Sequence, residues 1–248
     1  MRAVILAAGR GSRLECVAGV GPKCLAPFGE ETLIERQLRA LRRCGIDRVT
    51  AVVGHQAASV GEVCGARADL LHNERHATTN SLYSLWLARD VLGGGFVVLN
   101  GDVLFHPQLL ADLLTSRYDD ALLMSAPQDG QVYTDEEMKV CVRGGRVAAI
   151  AKTLAPDMTD GENIGIAKFG ADGAAVLIEE LDRLVASGGT RHWLPAAFAP
   201  FARRRPLYVV ESRGFPWIDI DFPVDYWHAC HTVMPDIDAV PEGAASHV

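Results

Sequence analysis

The sequence lacks the features of metal-thiolate, disulfide-rich and membrane-spanning proteins. Its six cysteines stand at positions 16, 24, 44, 64, 141 and 230, with no Cys-x-x-Cys pair and no regular spacing to histidine, which argues against a zinc site and a disulfide framework. The apolar residues before Gly9 are too few for a signal-peptide core, and no apolar run is as long as a membrane span. We therefore expect a cytoplasmic protein with no membrane partner.

Positive charge is scarce as well. The chain has 24 lysines and arginines against 31 aspartates and glutamates, which gives a formal net charge of −7. Proteins that bind a nucleic-acid backbone usually present a basic face, so nucleic acid is not expected as a partner and a small molecule is favoured. No linker or internal repeat divides the 248 residues, and this length suffices for one large domain with a substantial core.

Hydrophobic patterning predicts an α/β fold. Through the first half, apolar runs at 3–6, 48–53, 70–72 and 96–100 alternate with helical patterns at 30–43 and 80–92. This alternation is typical of right-handed βαβ units around a mostly parallel sheet. Ligands are expected at the carboxyl ends of these strands.

A glycine-rich loop follows the first predicted strand. It reads Leu6-Ala7-Ala8-Gly9-Arg10-Gly11-Ser12-Arg13-Leu14 and continues, after a gap of seven residues, as Pro22-Lys23-Cys24-Leu25. Glycines let a backbone turn sharply and approach a ligand closely, and the free N–H groups of such a turn form a concavity that binds anions. Arg13 and Lys23 would add full positive charges. This combination predicts binding of a nucleoside triphosphate.

Two better-known glycine loops fit this segment less well. A Walker loop needs four residues between its glycines and then Gly-Lys-Ser/Thr, whereas Gly9 and Gly11 are one residue apart and Lys23 comes much later. A dinucleotide fingerprint needs a third glycine where Leu14 stands. A plain strand-to-helix turn would leave Arg13 and Lys23 without a role.

Residues 6–25 resemble the signature of the sugar-phosphate nucleotidyltransferase-like family, whose members join a nucleoside triphosphate to a phosphorylated small molecule. The resemblance implies a Rossmann-like, three-layer αβα domain of the nucleotide-diphospho-sugar transferase type with a mostly parallel, mixed central sheet. In that family the arginine that matches Arg13 holds the distal phosphates, and the lysine that matches Lys23 contacts the α-phosphate. Both are therefore assigned catalytic roles. The rest of the loop is assigned to nucleotide binding, namely Leu6, Ala7, Ala8, Gly9, Arg10, Gly11 and Ser12.

The gap at 15–21 departs from the family, because it is less polar than usual. Closure of this loop over the nucleotide is therefore expected to differ.

The pattern of the sequence changes after residue 120. A hairpin is predicted from 139–142 and 147–151, with further strands at 164–169, 206–211 and 217–220 and helices at 174–185, 191–201 and from Pro223. We assign 1–120 to a nucleotide-binding half and 121–234 to a small acceptor-binding lobe of a single domain, 1–248. The segment 235–248 is expected to form a loosely ordered tail.

Two acidic segments are candidates for holding a divalent metal ion. Transfer from a triphosphate needs such an ion, and Mg²⁺ prefers one or two carboxylates together with phosphates and water. Asp102 follows an apolar strand, and Asp219 and Asp221 alternate along another, so that both point to the same face. The resemblance extends to both segments and implies that Asp102 and Asp221 are ligands, with Asp219 supporting them. Alternatively, Asp102 is a turn residue and Asp221 caps the last helix.

The segment 76–86 resembles cytidylyltransferases that act on phosphocholine and on related aminoalcohol phosphates or phosphonates. The resemblance implies CTP as the nucleotide. Thr79, Asn80 and Ser81 offer both hydrogen-bond donors and acceptors, which reading a pyrimidine edge requires. The alternative is that Thr79 or Asn80 only caps a helix.

The acceptor is less constrained by the sequence. The acceptor-binding candidates are Lys139, Lys152, Asn163, Trp193 and Trp217. Lysines near the predicted hairpin could meet a phosphate or phosphonate, although Lys139 could equally be a solvated surface lysine. Aromatic residues could surround an ammonium group. If Arg191 or Arg213 lay inside the pocket, a more anionic acceptor such as a carboxylated phosphonate would fit better.

These observations favour a Mg²⁺-dependent cytidylyltransferase that uses CTP and a small phosphonate or phosphate. Two alternatives remain: a sugar-1-phosphate or inositol-phosphate nucleotidyltransferase, and a non-catalytic nucleotide-binding regulatory protein. Enzymes of the kind that the sequence resembles are often dimers, so a homodimer is compatible with the resemblance.

Overall fold

The apolar runs of the first half form adjacent parallel strands, and the rest of the chain extends the sheet that they begin. The computed structural model describes residues 1–14, 17, 21–127 and 133–240. The strands are β1 (Arg2–Ala7), β2 (Pro27–Phe28), β3 (Glu31–Thr32), β4 (Val49–Val53), β5 (Asp69–His72), β6 (Phe96–Asn100), β7 (Val103–Phe105), β8 (Ala121–Ser125), β9 (Lys139–Arg143), β10 (Arg146–Ala151), β11 (Gly161–Phe169), β12 (Tyr208–Glu211) and β13 (Trp217–Asp219). The helices are α1 (Leu33–Arg43), α2 (Ala57–Cys64), α3 (Ser81–Leu87), α4 (Pro107–Thr115), α5 (Ala171–Ala186), α6 (Pro195–Arg204), α7 (Pro223–His228) and α8 (Met234–Ala239).

Within these residues, nine strands form one mixed sheet in the order β5-β4-β1-β6-β11-β8-β12-β10-β9. The parallel pairings hold together β5, β4, β1 and β6, and they also join β12 to β8. The remaining pairings are antiparallel, and β9 pairs with the start of β11 as well as with β10. The predicted α/β fold with a mixed central sheet is therefore confirmed, but parallel pairings predominate only in the nucleotide half. The acceptor half continues the same sheet mainly with antiparallel pairings.

Alternating side chains of the central strands feed two separate cores. Ala3 and Ile5 of β1 pack in a cluster with α1, α2 and α4, whereas Val4 packs in a cluster with α3, α5 and α6. Because successive side chains of a strand point to opposite faces, these clusters place helices on both sides of the sheet. The result is the expected αβα arrangement of three layers.

A third cluster lies under the glycine-rich loop. Leu14, Phe28 and Leu33 pack there against Ile220 and the C-terminal helices, and the Tyr226 hydroxyl donates a hydrogen bond to the carbonyl oxygen of Pro27 at 3.0 Å. The last helices thus support the start of the chain. None of the described helices has the length and apolar character that crossing a membrane would require.

Several predicted boundaries shift for identifiable reasons. The helix predicted from residue 30 begins at Leu33, because Thr32 and Glu35 form a capping box and Glu31–Thr32 pairs with β2. The helix predicted over 80–92 ends at Leu87 and is followed by a 3₁₀ turn, Arg89–Val91. The stretch predicted over 191–201 becomes helical only at Pro195, where proline fits the first turn.

The prediction of a loosely ordered tail from Pro235 is wrong for its first residues. Helix α8 runs to Ala239 and buries Ile237 in the third core cluster. A π turn, Ala229–Val233, joins α7 to α8 just before Pro235. Proline cannot donate the hydrogen bond that a regular helix needs, and a π turn accommodates such an interruption. Residues 241–248 of the predicted tail, and 15, 16 and 18–20 of the apolar gap, lie outside the described residues.

Candidate active site

The glycine-rich loop begins where β1 ends and closes on Lys23. Residues Ser12–Leu14 and Lys23–Leu25 each form a 3₁₀ turn, and Pro22 precedes the second turn. Gly11 has a φ of +66°, and a Cβ atom on it would lie 2.8 Å from Cγ of Lys23. Only glycine fits this conformation and this close approach without strain. The loop therefore holds Lys23 at the carboxyl end of β1.

Three aspartates from distant segments meet beside Lys23. Strand β13 pairs antiparallel with β7 so that Asp219 lies opposite Val103, and the Ile220 N–H donates to the carbonyl oxygen of Asp102 at 3.0 Å. This pairing brings together one carboxylate oxygen each from Asp102, Asp219 and Asp221, all within 4.8 Å of one another. We call these three residues the carboxylate cluster.

Lys23 neutralises part of this cluster. Its ammonium lies 3.0 Å from Oδ2 of Asp102 and also donates to Oδ1 of Asp221. Burial alone would lower the pKa of Lys23, but attraction to Asp102 and Asp221 outweighs burial and raises that pKa above its ordinary value. For Asp221 the effects are reversed: burial alone would raise its pKa, but the positive charges of Lys23 and Arg13 hold that pKa below its ordinary value. Lys23 and Asp221 are therefore both ionised.

Arg13 reaches the same group of charges from the glycine-rich loop. Its Nη1 atom lies 3.8 Å from Oδ2 of Asp221 and 3.7 Å from Oε2 of Glu136, and its guanidinium lies over the ring of Phe222, 4.6 Å from the centroid. The structure thus brings together Arg13, Lys23 and the carboxylate cluster, as the sequence predicted.

Asp219 is the member of the cluster that has unmet hydrogen-bonding capacity. Its Oδ1 atom is buried and has no hydrogen-bond partner among the described residues. Desolvation, followed by the charges of Asp102 and Asp221, raises the pKa of Asp219 well above its ordinary value. Three carboxylates with an unpartnered buried oxygen are the kind of oxygen donors that a hard divalent cation prefers. The residues present therefore fit a magnesium ion.

The alternative that Asp221 caps the last helix does not hold. The N-cap residue is Phe222, and Asp225 in the first turn stabilises this end of the helix, because its Oδ2 atom accepts hydrogen bonds from the N–H groups of Asp221 at 3.0 Å and Phe222 at 2.7 Å. The Asp221 carboxylate is left to face Lys23 and Arg13. The cap also fixes the backbone that carries Asp221.

A polar cleft opens beside Asp102, between the glycine-rich loop and the start of α3. The residues that line it are Leu6, Ala8, Gly9, Asn73, His76, Thr79, Asn80, Ser81, Ser84, Asn100, Asp102 and Trp193. The predicted nucleotide contacts Thr79, Asn80 and Ser81 are thus on its wall. Asn80 also caps α3, since its Oδ1 atom accepts a hydrogen bond from the Ser81 N–H at 2.8 Å. The capping alternative therefore holds for Asn80, which lines the cleft as well.

Sequence reasoning missed part of this wall. Buried Asn73 follows β5 and donates from Nδ2 to Thr79 Oγ1 and Ser84 Oγ, each at 3.1 Å. His76 lies beside it, with Nδ1 at 3.2 Å from the Asn73 carbonyl oxygen. An asparagine directly after a parallel strand, at the edge where ligands bind, is the signal that could have identified Asn73.

An acidic cleft lies on the other side of the carboxylate cluster. Its lining residues are Ser125, Thr134, Glu136, Glu137, Glu162, Trp217, Ile218, Asp219, Asp221, Phe222, Asp225 and His228. Burial, and then the charge of Glu137, raises the pKa of Glu162 to about 7, although Lys152 opposes this shift. Trp217, one of the acceptor-binding candidates, thus lines a cleft whose other lining residues are mainly carboxylates.

Lys152 lies between the two clefts. Its ammonium is 3.4 Å from Oε2 of Glu136 and 5.2 Å from the centroid of the Trp193 ring. Trp193, another acceptor-binding candidate, lies on the wall of the polar cleft. Lysine at this position can therefore reach ligands from either cleft.

The remaining acceptor candidates are less directly placed. Lys139 is buried and donates to the carbonyl oxygen of Lys152, so it is not the solvated surface lysine of the alternative. Asn163 lines a small cavity next to Asn100, and its Oδ1 atom has no partner among the described residues. Arg213 bonds to Asp112, and neither Arg191 nor Arg213 lines the acidic cleft in the described part of the chain.

Comparison with known proteins gives one relative that matches over part of its length and one that matches over nearly all of it. The sequence is 36% identical over 132 residues to CMP-5'-(3-aminopropyl)phosphonate synthase of Streptomyces rubellomurinus, a match that covers 51% of this chain and 21% of that protein. It is 27% identical to choline-phosphate cytidylyltransferase of Streptococcus pneumoniae, covering 91% of this chain and 95% of the relative. The chain thus spans about a fifth of the first relative and nearly all of the second.

Solved structures confirm the fold. The inositol-1-phosphate CTP transferase from T. maritima superposes with a TM-score of 0.77 at 21% identity, covering 96% of each chain. The expected nucleotide-diphospho-sugar transferase fold is therefore present. The sequence also matches the family described as MobA-like NTP transferase domain over residues 3–207. Since that match includes most of the chain, the protein belongs to the MobA-like NTP transferase family.

Proposed function

We propose that the protein is a cytidylyltransferase that transfers CMP from CTP to a small phosphonate or phosphate and releases pyrophosphate. The observation that carries this proposal is the meeting of Lys23, Arg13 and the carboxylate cluster at the junction of two clefts. A nucleotide in one cleft and an acceptor in the other would bring their phosphorus-bearing groups to the same charged centre. The names of the relatives in both kinds of comparison are consistent with this reaction.

Asp102 and Asp221, with Asp219 beside them, would hold Mg²⁺. When bound, Mg²⁺ neutralises charge on the α-phosphate and on the departing pyrophosphate. The unpartnered Oδ1 atom of Asp219 supports this assignment.

The remaining chemistry falls to positioned cations and to the substrate. The acceptor oxygen is already anionic, so it attacks the α-phosphorus in line without a general base, and the bond to the pyrophosphate oxygen breaks as the new P–O bond forms. Lys23 stabilises charge on the α-phosphate, and Arg13 stabilises the departing phosphates. Both cations are held ready by acidic partners that the phosphates can replace.

The polar cleft supports the choice of a pyrimidine base. Asn80 and Ser81 stand at the amino terminus of α3, and buried Asn73 fixes the neighbouring hydroxyls of Thr79 and Ser84. A cytosine edge presents both donors and acceptors, and amide and hydroxyl side chains can pair with both. We therefore assign the base of CTP to this cleft.

The acidic cleft supports an acceptor that carries a cationic group. Glu137 and Glu162 line it together with Trp217, and such a combination binds an ammonium group through charge and cation–π attraction. A carboxylated phosphonate would instead meet like charges there. An aminoalkylphosphonate or phosphocholine is therefore the proposed acceptor class.

Pyrophosphate release tests this function. The four nucleoside triphosphates are each paired with aminoethylphosphonate, phosphocholine, phosphonoformate, glucose-1-phosphate and inositol-1-phosphate in the presence of MgCl₂. We expect release with CTP and either of the first two acceptors. Preference for a sugar or inositol phosphate would overturn the acceptor assignment, and no release with any pair would favour a non-catalytic nucleotide-binding protein.

A further inference from the structure

Gln37 on α1 joins the two sides of the turn that carries Asp102. The residue is 1% exposed. The Nε2 atom lies 2.9 Å from the carbonyl oxygen of Asn100 and 2.9 Å from that of Val103. Asn100 ends β6 and Val103 begins β7, so one amide group bridges the last residue before the turn and the first residue after it.

The turn has two other attachments. The Gly101 N–H donates to the carbonyl oxygen of Leu6 at the end of β1, and the carbonyl oxygen of Asp102 accepts from the Ile220 N–H, each at 3.0 Å. A Cβ atom on Gly101 would lie 2.7 Å from the Leu6 oxygen, so the turn is pressed against the start of the glycine-rich loop. The turn is therefore fixed from β1, from the segment after β13 and, through Gln37, from α1.

Stability alone would not favour a polar amide side chain at this buried position. Its Oε1 atom is buried and has no partner among the described residues. A buried unpaired amide oxygen is unfavourable, and methionine would fill the same space without it. What methionine cannot supply is the pair of N–H donors for the two carbonyl oxygens. The amide therefore serves the turn rather than the core.

We infer that Gln37 is a positioning residue, which holds the Gly101–Asp102 turn so that the Asp102 carboxylate faces Lys23, Asp219 and Asp221. This inference rests on the proposed function. Gln37 would not contact a bound substrate, because among the described residues it lines neither the polar cleft nor the acidic cleft. Its loss should therefore affect the chemical step more than nucleotide binding.

The test replaces Gln37 with methionine, which keeps the volume and removes both donors, and with glutamate, which keeps the shape and, protonated by its burial, offers one donor in place of two. Displacement of a catalytic group by about 1 Å can cost about 100-fold in rate. We expect kcat to fall about 10- to 100-fold in Gln37→Met, with KM for CTP changed by no more than about twofold. Gln37→Glu should show the same split, and either variant suffices if the other fails to fold.

Leu38→Val serves as the matched control, because Leu38 is a buried residue of the same helix that contacts the hydrophobic core. It should lower the melting temperature without lowering kcat by more than about twofold. Amide hydrogen exchange, followed in a peptide spanning 96–105, gives a readout that is independent of activity. Exchange there should be faster in Gln37→Met than in the wild type and unchanged in Leu38→Val.

Wild-type kcat in Gln37→Met, or unchanged exchange in that peptide, would overturn the inference. An equal loss of kcat in Leu38→Val of matched stability would do the same, because the effect would then be structural. If the wild-type protein released no pyrophosphate with any substrate pair, the proposed function would fail while the exchange measurement still decided whether Gln37 holds the turn.

Discussion

Replacing Lys23 with methionine should reveal a competition between the lysine and a divalent cation. In the structure the Lys23 ammonium bonds to both Asp102 and Asp221, the residues proposed to hold Mg²⁺. Removing it leaves three close carboxylates without their main counter-charge. A metal ion should then bind more tightly than it does in the wild type, even though catalysis is lost.

The magnitude follows from the geometry. At the 3.0 Å separation from Asp102, an effective dielectric constant of about 20 gives an attraction of roughly 5.5 kcal/mol, which is an upper bound. The side chains are 16% exposed for Lys23 and 29% exposed for Asp102, so solvent screens the pair. The expected loss in the free energy of unfolding is about 1–3 kcal/mol, between the values for surface and buried pairs. For a chain of this size that corresponds to about 2–12 °C in Tm.

The assay is thermal unfolding with and without saturating MgCl₂. If the metal binds Lys23→Met about tenfold more tightly, it stabilises that variant by about 1.4 kcal/mol more than it stabilises the wild type. The added rise in Tm should be about 3–6 °C. Pyrophosphate release should fall by about 100-fold or more, as on loss of a charge-stabilising donor.

Lys139→Met is the matched control for this experiment, because Lys139 is also buried but its contacts are to other groups: it donates to the carbonyl oxygen of Lys152 and lies 4.0 Å from Oδ1 of Asp135. Its Tm should fall, yet its response to MgCl₂ should equal that of the wild type. A MgCl₂ response in Lys23→Met no larger than in the wild type would refute the idea that Lys23 and the metal share these carboxylates.

Further expected outcomes concern single contacts. Arg13→Ala should raise KM for CTP about tenfold or more in steady-state kinetics, since it removes a charged phosphate partner; an unchanged KM would contradict its role. Glu162→Gln should raise KM for a cationic acceptor about tenfold and leave that for CTP unchanged. Because the pKa of Glu162 is about 7, the wild-type KM for that acceptor should fall as pH rises through about 7, and the variant should lack this trend. The same carboxyl keeps its proton longer in the folded than in the unfolded chain, so its contribution to stability should decline between about pH 4.5 and pH 7, and urea titrations of the variant should not show that decline. Asp225→Ala removes the cap of the Asp221 and Phe222 N–H groups and should lower stability by about 1–2 kcal/mol, or about 2–8 °C in Tm by calorimetry; a Tm equal to that of the wild type would mean that water replaces the cap.

The sequence was most informative where one residue type serves one geometry. Gly11 needs a positive φ and closeness to Lys23, and Asp102 comes directly after a buried strand, so both positions could be located from the linear pattern. The convergence of Asp102 with Asp221 followed from the family resemblance. The pairing of β13 with β7, which produces that convergence, had no signal in the sequence because the two strands are short and far apart along the chain.

Other features depended on tertiary contacts that a sequence does not display. Helix α2 was missed because the residue before it, Gln56, has a left-handed conformation rather than a recognisable capping side chain, and because the helix contains small residues with little periodicity. The sequence did not show which cleft Trp193 lines, because an exposed tryptophan has no sequence pattern that indicates its neighbours. Gln37 was overlooked because it lies in a helical pattern whose apolar neighbours suggested only packing.

The second pairing of β9, with β11, also affects the tendency of the protein to aggregate at high concentration. Strand β9 is paired on both sides, with β10 and with β11, so among the described residues of the large sheet only β5 has a neighbour on one side alone. An unpaired edge invites strands of other molecules to add to it, and Leu70 on β5 is 48% exposed. Engineering against aggregation therefore has one natural starting point, a charged residue at position 70.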